Sequence, residues 1–312
     1  STMAFGPSTA AWRLNLLNLP GVMEVGSMVS VSGTLTVADG LLVTPRLELT
    51  PSGLIGSSRG KIVVTGNMIL GAGSSLGFAL DAASSRTDRP FMQVQGNFQA
   101  GGTLRLVPNY APQAGDRFTL IEFNAGTKNA EEIYQQFRFK DYDPVINDNL
   151  FWGLAYRTLP DGRDVIEAIV LKVPQKWNSA GVPAGPVGPN TLPGLVFLTH
   201  GTFSSVGGAN DGAFGEIASN MAVFHGRYGN GQWDVATYDW GEFSTSPLGA
   251  NNFVYNAATS AQVGIGIGES LVHWMNRRGI NYSKLHMLSH SSGSWLVNRM
   301  MQQLTSGRAI HT

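Results

Sequence analysis

The chain has 312 residues, with 21 Lys and Arg against 21 Asp and Glu, and no cysteine. Zero formal net charge without a basic stripe argues against nucleic-acid binding, and the lack of thiols excludes disulfides, thiolate metal sites and a cysteine nucleophile. No apolar run reaches membrane-spanning length, and no H-E-x-x-H or similar spacing points to a metal or other cofactor.

Charged residues are only 13% of the chain and glycine numbers 39, a composition that suits a turn-rich exterior β-architecture. Ser1 rather than Met at the first position fits an exported protein whose signal has been removed. From Gly21 to about Val170 short apolar segments alternate with Gly, Ser, Asn and Pro, with hardly any helical periodicity. Val64-Thr65-Gly66-Asn67-Met68-Ile69-Leu70-Gly71 matches Val94-Gln95-Gly96-Asn97-Phe98-Gln99-Ala100-Gly101, and Val31-Ser32-Gly33-Thr34-Leu35 reads as a weaker copy. Periodic glycine turns between short strands predict β-solenoid-like repeats, each round burying the apolar face of the next. A β-sandwich of similar hairpins is the alternative. Val64, Ile69, Leu76, Val94, Phe98 and Leu104 are expected inside. A short helix over 131–137 and a strand pair, 150–156 with 165–173 about Pro160-Asp161-Gly162, close the region.

Residues 176–191 are rich in Gly and Pro and read as a semi-rigid linker between a β-repeat domain, 1–175, and a second domain, 192–312. The second domain opens on Leu195-Val196-Phe197-Leu198-Thr199, a continuous apolar run of the kind a parallel strand buried on both faces requires. It leads into His200-Gly201-Thr202. Trp233 to Tyr238 reads as another strand, ending in Asp239-Trp240. Residues 257–278 carry Val263, Ile267, Leu271, Trp274 and Met275 at helical spacing, with Gly279 as C-cap. Gly264, Gly266 and Gly268 inside that helix predict close backbone packing. They are not a dinucleotide fingerprint, because no strand immediately precedes them.

Leu285 to Ser289 is a third strand pattern, followed by small residues around Ser291 and then by a helical pattern that ends by Gly307. This is the layout of a nucleophile elbow, in which a strained strand-to-helix turn presents a serine hydroxyl. Gly293 fits G-x-S-x-G, and Ser289 replaces the first glycine. An oxyanion formed at that serine needs two backbone donors. The residue after the nucleophile, Ser292, supplies one, and the loop at Gly201 and Thr202 supplies the other. His200 at a strand end reads as a structural hydrogen-bonder, His290 points away from its neighbour, and His225, His273, His286 and His311 read as surface or packing residues.

On Phe197-Leu198-Thr199-His200-Gly201, Tyr238-Asp239-Trp240 and Ser289-His290-Ser291-Ser292-Gly293, residues 192–312 resemble the first half of the lipase family of α/β-hydrolases, notably its pancreatic-lipase-like branch. The resemblance implies a parallel sheet with flanking helices, Ser291 as nucleophile, and Thr202 and Ser292 as oxyanion-hole donors, supported by His200, Gly201 and Gly293. It also implies an ester or lipid substrate, no cofactor, and a triad Asp and His after Thr312, beyond a strand begun by Ala309 to Thr312. Asp239 is not the triad acid in that family. The Val94 to Leu106 run and Ala114 to Ile121 are similar to strand-repeat regions of bacterial autotransporter passengers and related surface proteins, which implies an extracellular or cell-surface location and surface contacts through the β domain. The main reading is therefore an exported serine ester hydrolase, supported by the joint occurrence of the elbow and the His-Gly-Thr loop. The alternative is a non-catalytic surface interaction or adhesion protein with a degenerate α/β unit.

Overall fold

A computed structural model describes residues 2–5, 12–15, 22–57, 60–81, 90–124, 130–137, 139–189, 192–201, 212–229, 231–244 and 253–305. They divide into two compact units: Ser1–Pro112, Asp116–Tyr142 and Tyr156–Ala168 in the first, and Gln113–Gly115, Asp143–Ala155 and Ile169–Thr312 in the second.

In the first unit each of the first twelve strands pairs with the third strand after it. In chain order they are β1 (Thr2–Phe5), β2 (Trp12–Asn15), β3 (Val22–Glu24), β4 (Met28–Val31), β5 (Thr34–Asp39), β6 (Leu41–Thr44), β7 (Leu47–Leu49) and β8 (Leu54–Ser57). There follow β9 (Lys61–Val64), β10 (Met68–Leu70), β11 (Ser75–Leu80), β12 (Met92–Val94), β13 (Phe98–Ala100), β14 (Thr103–Pro108) and β15 (Arg117–Phe123). Helix α1 (Ala130–Gln136), β16 (Phe139–Asp141) and the strands β17 (Leu150–Thr158) and β18 (Asp164–Lys172) complete this part of the chain. Three sheets result, ordered β1-β4-β7-β10-β13, β16-β14-β11-β8-β5-β2 and β17-β18-β15-β12-β9-β6-β3.

Burial alternates along these strands because successive side chains point to opposite faces. Parallel register stacks the inward residues into columns, so that Leu35 pairs with Ile55, Ile55 with Leu76, and Leu76 with Leu104. Val64, Leu76, Val94, Phe98 and Leu104 are buried as expected. Ile69 is only half-buried, because Met68 and Leu70 take the inward positions of β10.

Register also corrects the weaker repeat. Val64 pairs with Val94, which justifies the two clear copies, but Val64 pairs on its other side with Thr44. Val31 instead pairs with Leu49, at the end of a different strand. The clear copies owe their wide spacing to extra chain between β11 and β12, whereas Leu47 pairs with Met68 only 21 positions on. Their shared Gly-Asn turn has a physical reason: the Gly96 N–H donates to Gly66 O at 2.9 Å, and the Asn97 N–H donates to Asn67 Oδ1 at 3.0 Å.

The second unit holds a sheet ordered β20-β19-β22-β21-β23, made of β19 (Gln175–Trp177), β20 (Pro183–Pro186), β21 (Gly194–Thr199), β22 (Trp233–Tyr238) and β23 (Lys284–Ser289). The last three are parallel, while β19 and β20 are antiparallel additions. The segment 176–191, expected as a linker, therefore carries strand structure. Pro183 and Pro186 sit on the edge strand, where a missing N–H is tolerated.

Helices α2 (Gly212–Tyr228), α3 (Gly241–Ser244), α4 (Phe253–Arg277) and α5 (Gly293–Thr305) complete this unit. Phe197, Tyr238, Val263, Ile267, Leu271, Leu296 and Met300 share one core on the α4 and α5 side, while Val196, Leu198, Val235 and Ala218 share another on the α2 side. The three glycines of α4 are sites of close packing. A Cβ at Gly264 would lie 3.5 Å from Ser292 O, one at Gly268 would strike the Leu296 carbonyl of α5, and one at Gly266 would lie 2.7 Å from Leu154 O of β17. Gly279 ends α4 at φ +66, with the Ile280 N–H donating back to Met275 O at 2.9 Å.

Candidate functional site

Sheet register brings three loop starts together. Thr199 pairs with Tyr238 on one side and with Ser289 on the other, so β22, β21 and β23 end level with one another. The next residues, Asp239-Trp240, His200-Gly201 and His290-Ser291, emerge side by side at the carboxyl ends of the parallel strands. Open α/β sheets place their ligand crevices at such ends.

Ser291 has φ 52, and no other non-glycine among the described residues has a positive φ. A left-handed backbone costs about 1–2 kcal/mol for a residue with a Cβ, so its surroundings must hold it there. The Gly293 N–H donates to His290 O at 3.0 Å, Ser294 N–H to Ser291 O at 3.0 Å, and Trp295 N–H to Ser292 O at 3.1 Å, running the turn straight into α5. Ser289, at the position of the absent glycine, donates through Oγ to Ser294 Oγ at 3.3 Å and so ties strand to helix.

The two glycines near Ser291 are required by space. A Cβ on Gly201 would lie 2.7 Å from Ser291 Cβ and 3.0 Å from His290 O, and one on Gly293 would strike the His200 carbonyl. Ser291 itself is exposed and Ser292 is buried. Among the described residues the Ser291 hydroxyl makes no hydrogen bond. Thr202 and the Ala309 to Thr312 strand lie outside the described residues.

His200 is fully buried and engaged on every side. Its Nδ1 lies 2.8 Å from Gly201 O, a group that only accepts, so this nitrogen carries a proton. Nε2 lies 2.9 Å from Asp239 Oδ1 and 3.2 Å from the Trp240 N–H. Trp240 Nε1–H donates to His200 O at 2.9 Å, and its ring stacks on the imidazole with centroids 6.0 Å apart. Neither ring nitrogen is placed to take a proton from Ser291. Burial pushes the Asp239 carboxyl upward, but the His200 and Gly241 N–H hydrogen bonds, with the charges of His200 and Lys172, hold it below the usual carboxylate range.

His290 and His286 are exposed, and the ring of His225 lies 5.6 Å from that of Trp233. Among the described residues no three His, Asp or Glu side chains group closely enough to hold a metal, and no helix is long and apolar enough to cross a membrane. A cavity of about 490 Å3, lined by Met275, Ile280, Tyr282, Leu285, Met301 and Leu304, opens at the far end of β23 from Ser291.

The His200–Asp239–Trp240 network is the part of the site that sequence reading did not assemble. Its residues were individually visible, each just after an apolar strand pattern, but only the adjacency of β21 and β22 joins them. No protein-family model matches the chain, and no curated protein or solved structure matches it either.

Proposed function

We propose that the second unit belongs to a serine ester hydrolase of lipase or carboxylesterase type, with Ser291 as the attacking nucleophile. The observation that supports it is the left-handed Ser291 backbone at a strand-to-helix turn, cleared on two sides by Gly201 and Gly293. In this reading the Ser291 oxygen adds to an ester carbonyl while a base takes its proton. The backbone N–H groups of Thr202 and Ser292 receive the developing oxyanion, the alcohol leaves, and water then hydrolyses the acyl-serine. His200 is committed to other bonds and Asp239 is bonded to His200, so neither is assigned as the base or the acid that serves Ser291.

The first unit, with its every-third-strand pairing, is proposed to be a β-solenoid that carries the protein at a cell surface or outside the cell. The second reading, a non-catalytic surface interaction module, draws on the lack of any hydrogen bond to the Ser291 hydroxyl among the described residues.

Ester turnover and covalent labelling by a serine-directed phosphonate separate the two. In the full-length protein Ser291→Ala should lower turnover by about 10⁴-fold or more and abolish labelling. No labelling of the parent, with turnover unchanged in Ser291→Ala, would hand the function to the interaction module.

A further inference from the structure

We propose that the cavity at the far end of β23 from Ser291 is a binding site for a small uncharged amphiphile, an aliphatic alcohol being the type ligand. The inference goes beyond the reading of Ser291 as a nucleophile and does not depend on it.

The cavity is framed by chain that its own bonds hold in place. Helix α4 ends at Gly279, whose φ of +66 turns the chain, and the Ile280 N–H donates back to Met275 O at 2.9 Å. Further on, the Ser283 and Lys284 N–H groups both donate to Pro193 O at 3.0 Å and lead the chain into β23. The Tyr282 hydroxyl meets the buried Asp234 carboxylate at 3.2 Å, so its ring is a fixed wall. Met275, Ile280 and Tyr282 are buried, and Leu285, Met301 and Leu304 are half-buried around the opening. The volume of about 490 Å3 falls within the range of about 300–1,000 Å3 common for small-molecule pockets. Such a lining gains by covering an apolar body.

The polar part of the lining decides the head group. Three hydroxyls are already spoken for: that of Tyr282 by Asp234, that of Ser283 by Pro193 O at 3.1 Å, and that of Thr305 by Met301 O at 2.7 Å. There remain the side-chain amides of Asn276 and Asn281, and neither bonds another described residue. Each can donate and accept. Among the described residues no acidic or basic side chain lines the cavity, so a charged head would lose water without gaining a countercharge. An anion meets a further obstacle. Gly264 lies beside Ser292 and Gly268 beside Leu296, so α4 and α5 run parallel, and both C-terminal ends, the negative ends of their dipoles, border the cavity. Arg277 and Arg278 of α4 are paired with Asp143 and Asp148, and α5 has no basic residue in its last turn. An alcohol satisfies all of these demands: its hydroxyl exchanges hydrogen bonds with the two amides while its alkyl chain covers the apolar walls.

The test is displacement of the hydrocarbon fluorophore diphenylhexatriene from the full-length protein by decanol, decanoate and decylammonium. Decanol should bind at least about tenfold more tightly than either charged analogue. Leu304→Trp fills the cavity and should weaken the fluorophore and decanol together by about tenfold or more. Asn281→Leu, at an exposed position that does not endanger folding, should weaken decanol about fivefold, the size of one net hydrogen bond, while the fluorophore binds as before. Equal binding of decanol and decanoate would overturn the head-group assignment and the proposal with it. Absence of fluorophore binding, or binding unchanged in both variants, would overturn the cavity as the site. Phosphonate labelling of Ser291 is a separate readout, so its failure would remove the nucleophile and leave this proposal standing.

Discussion

The two units use glycine for opposite ends. In the first, a Cβ at Gly66, Gly71, Gly96 or Gly101 would strike the backbone of Pro45, Leu49, Gly66 or Leu70 in turn, so the same device recurs along the chain. In the second, Gly201 and Gly293 clear space around one residue, and that residue is held in a conformation its own side chain disfavours. The first arrangement spreads its constraints over many equivalent contacts. The second concentrates them at Ser291. A repeated solution tolerates local damage in proportion to its size, whereas a single strained site is lost whole.

The comparison can be broken at one place in the first unit. Glu167 of β18 is fully buried between Arg157 of β17 and Arg117 of β15, with Arg157 Nε 3.0 Å and Arg117 Nε 3.5 Å from its carboxylate. Removing one member of such a cluster strands buried charge of a single sign. Glu167→Ala should therefore cost about 3–5 kcal/mol of stability, read as the shift in the urea midpoint of the first unit. Burial pushes this carboxyl upward, but the two guanidinium groups outweigh it and hold it below its ordinary value. Its contribution is thus complete above the ordinary carboxylate range and is lost as pH falls through the lowered value, so the parent and Glu167→Ala should converge in stability in strong acid. A midpoint shift below about 1 kcal/mol would show that even this cluster is shared load.

A milder change sharpens the contrast. Gly96→Val places a Cβ about 2.5 Å from the Gly66 backbone, and the resulting shift should cost about 1–3 kcal/mol in the first unit. The labelling rate of Ser291 should not change, and a parallel loss of labelling would show that the two units are energetically coupled.

The smallest expected effect has the opposite sign. Ser291→Gly removes the Cβ that disfavours φ 52, so it should raise stability by about 1 kcal/mol while eliminating turnover. Thermal melting of the variant checks the sign. A lower melting temperature would mean that the Ser291 side chain contributes more to the turn than its strained backbone costs.

Much of this was legible in the chain because the signals are local. β21, β22 and β23 appear as apolar runs, α4 as a stripe ended by Gly279, and α5 as a helix starting two residues after Ser291. Helix α2 carries a misleading signal: Phe214, Ile217, Met221 and Phe224 fall on one face at helical spacing, yet Ile217 and Phe224 are exposed and the residues it buries are the small Ala218 and Ala222. The strands β19 and β20 were hidden for another reason. Their Gly- and Pro-rich composition matches a linker, and only the open edge of β22 makes them strands.

The same division runs through the site. Small residues around Ser291, a glycine after His200 and an aspartate after Tyr238 are properties of the sequence alone, since steric demand at a turn acts on the residues next to it. Which of these meet is decided by the parallel register of β22, β21 and β23, because level strand ends set loops from distant parts of the chain side by side. The left-handed Ser291 backbone and the commitment of both His200 nitrogens belong to that tertiary level as well. No local preference selects either one; each persists because neighbouring strands leave its backbone and its ring no cheaper arrangement.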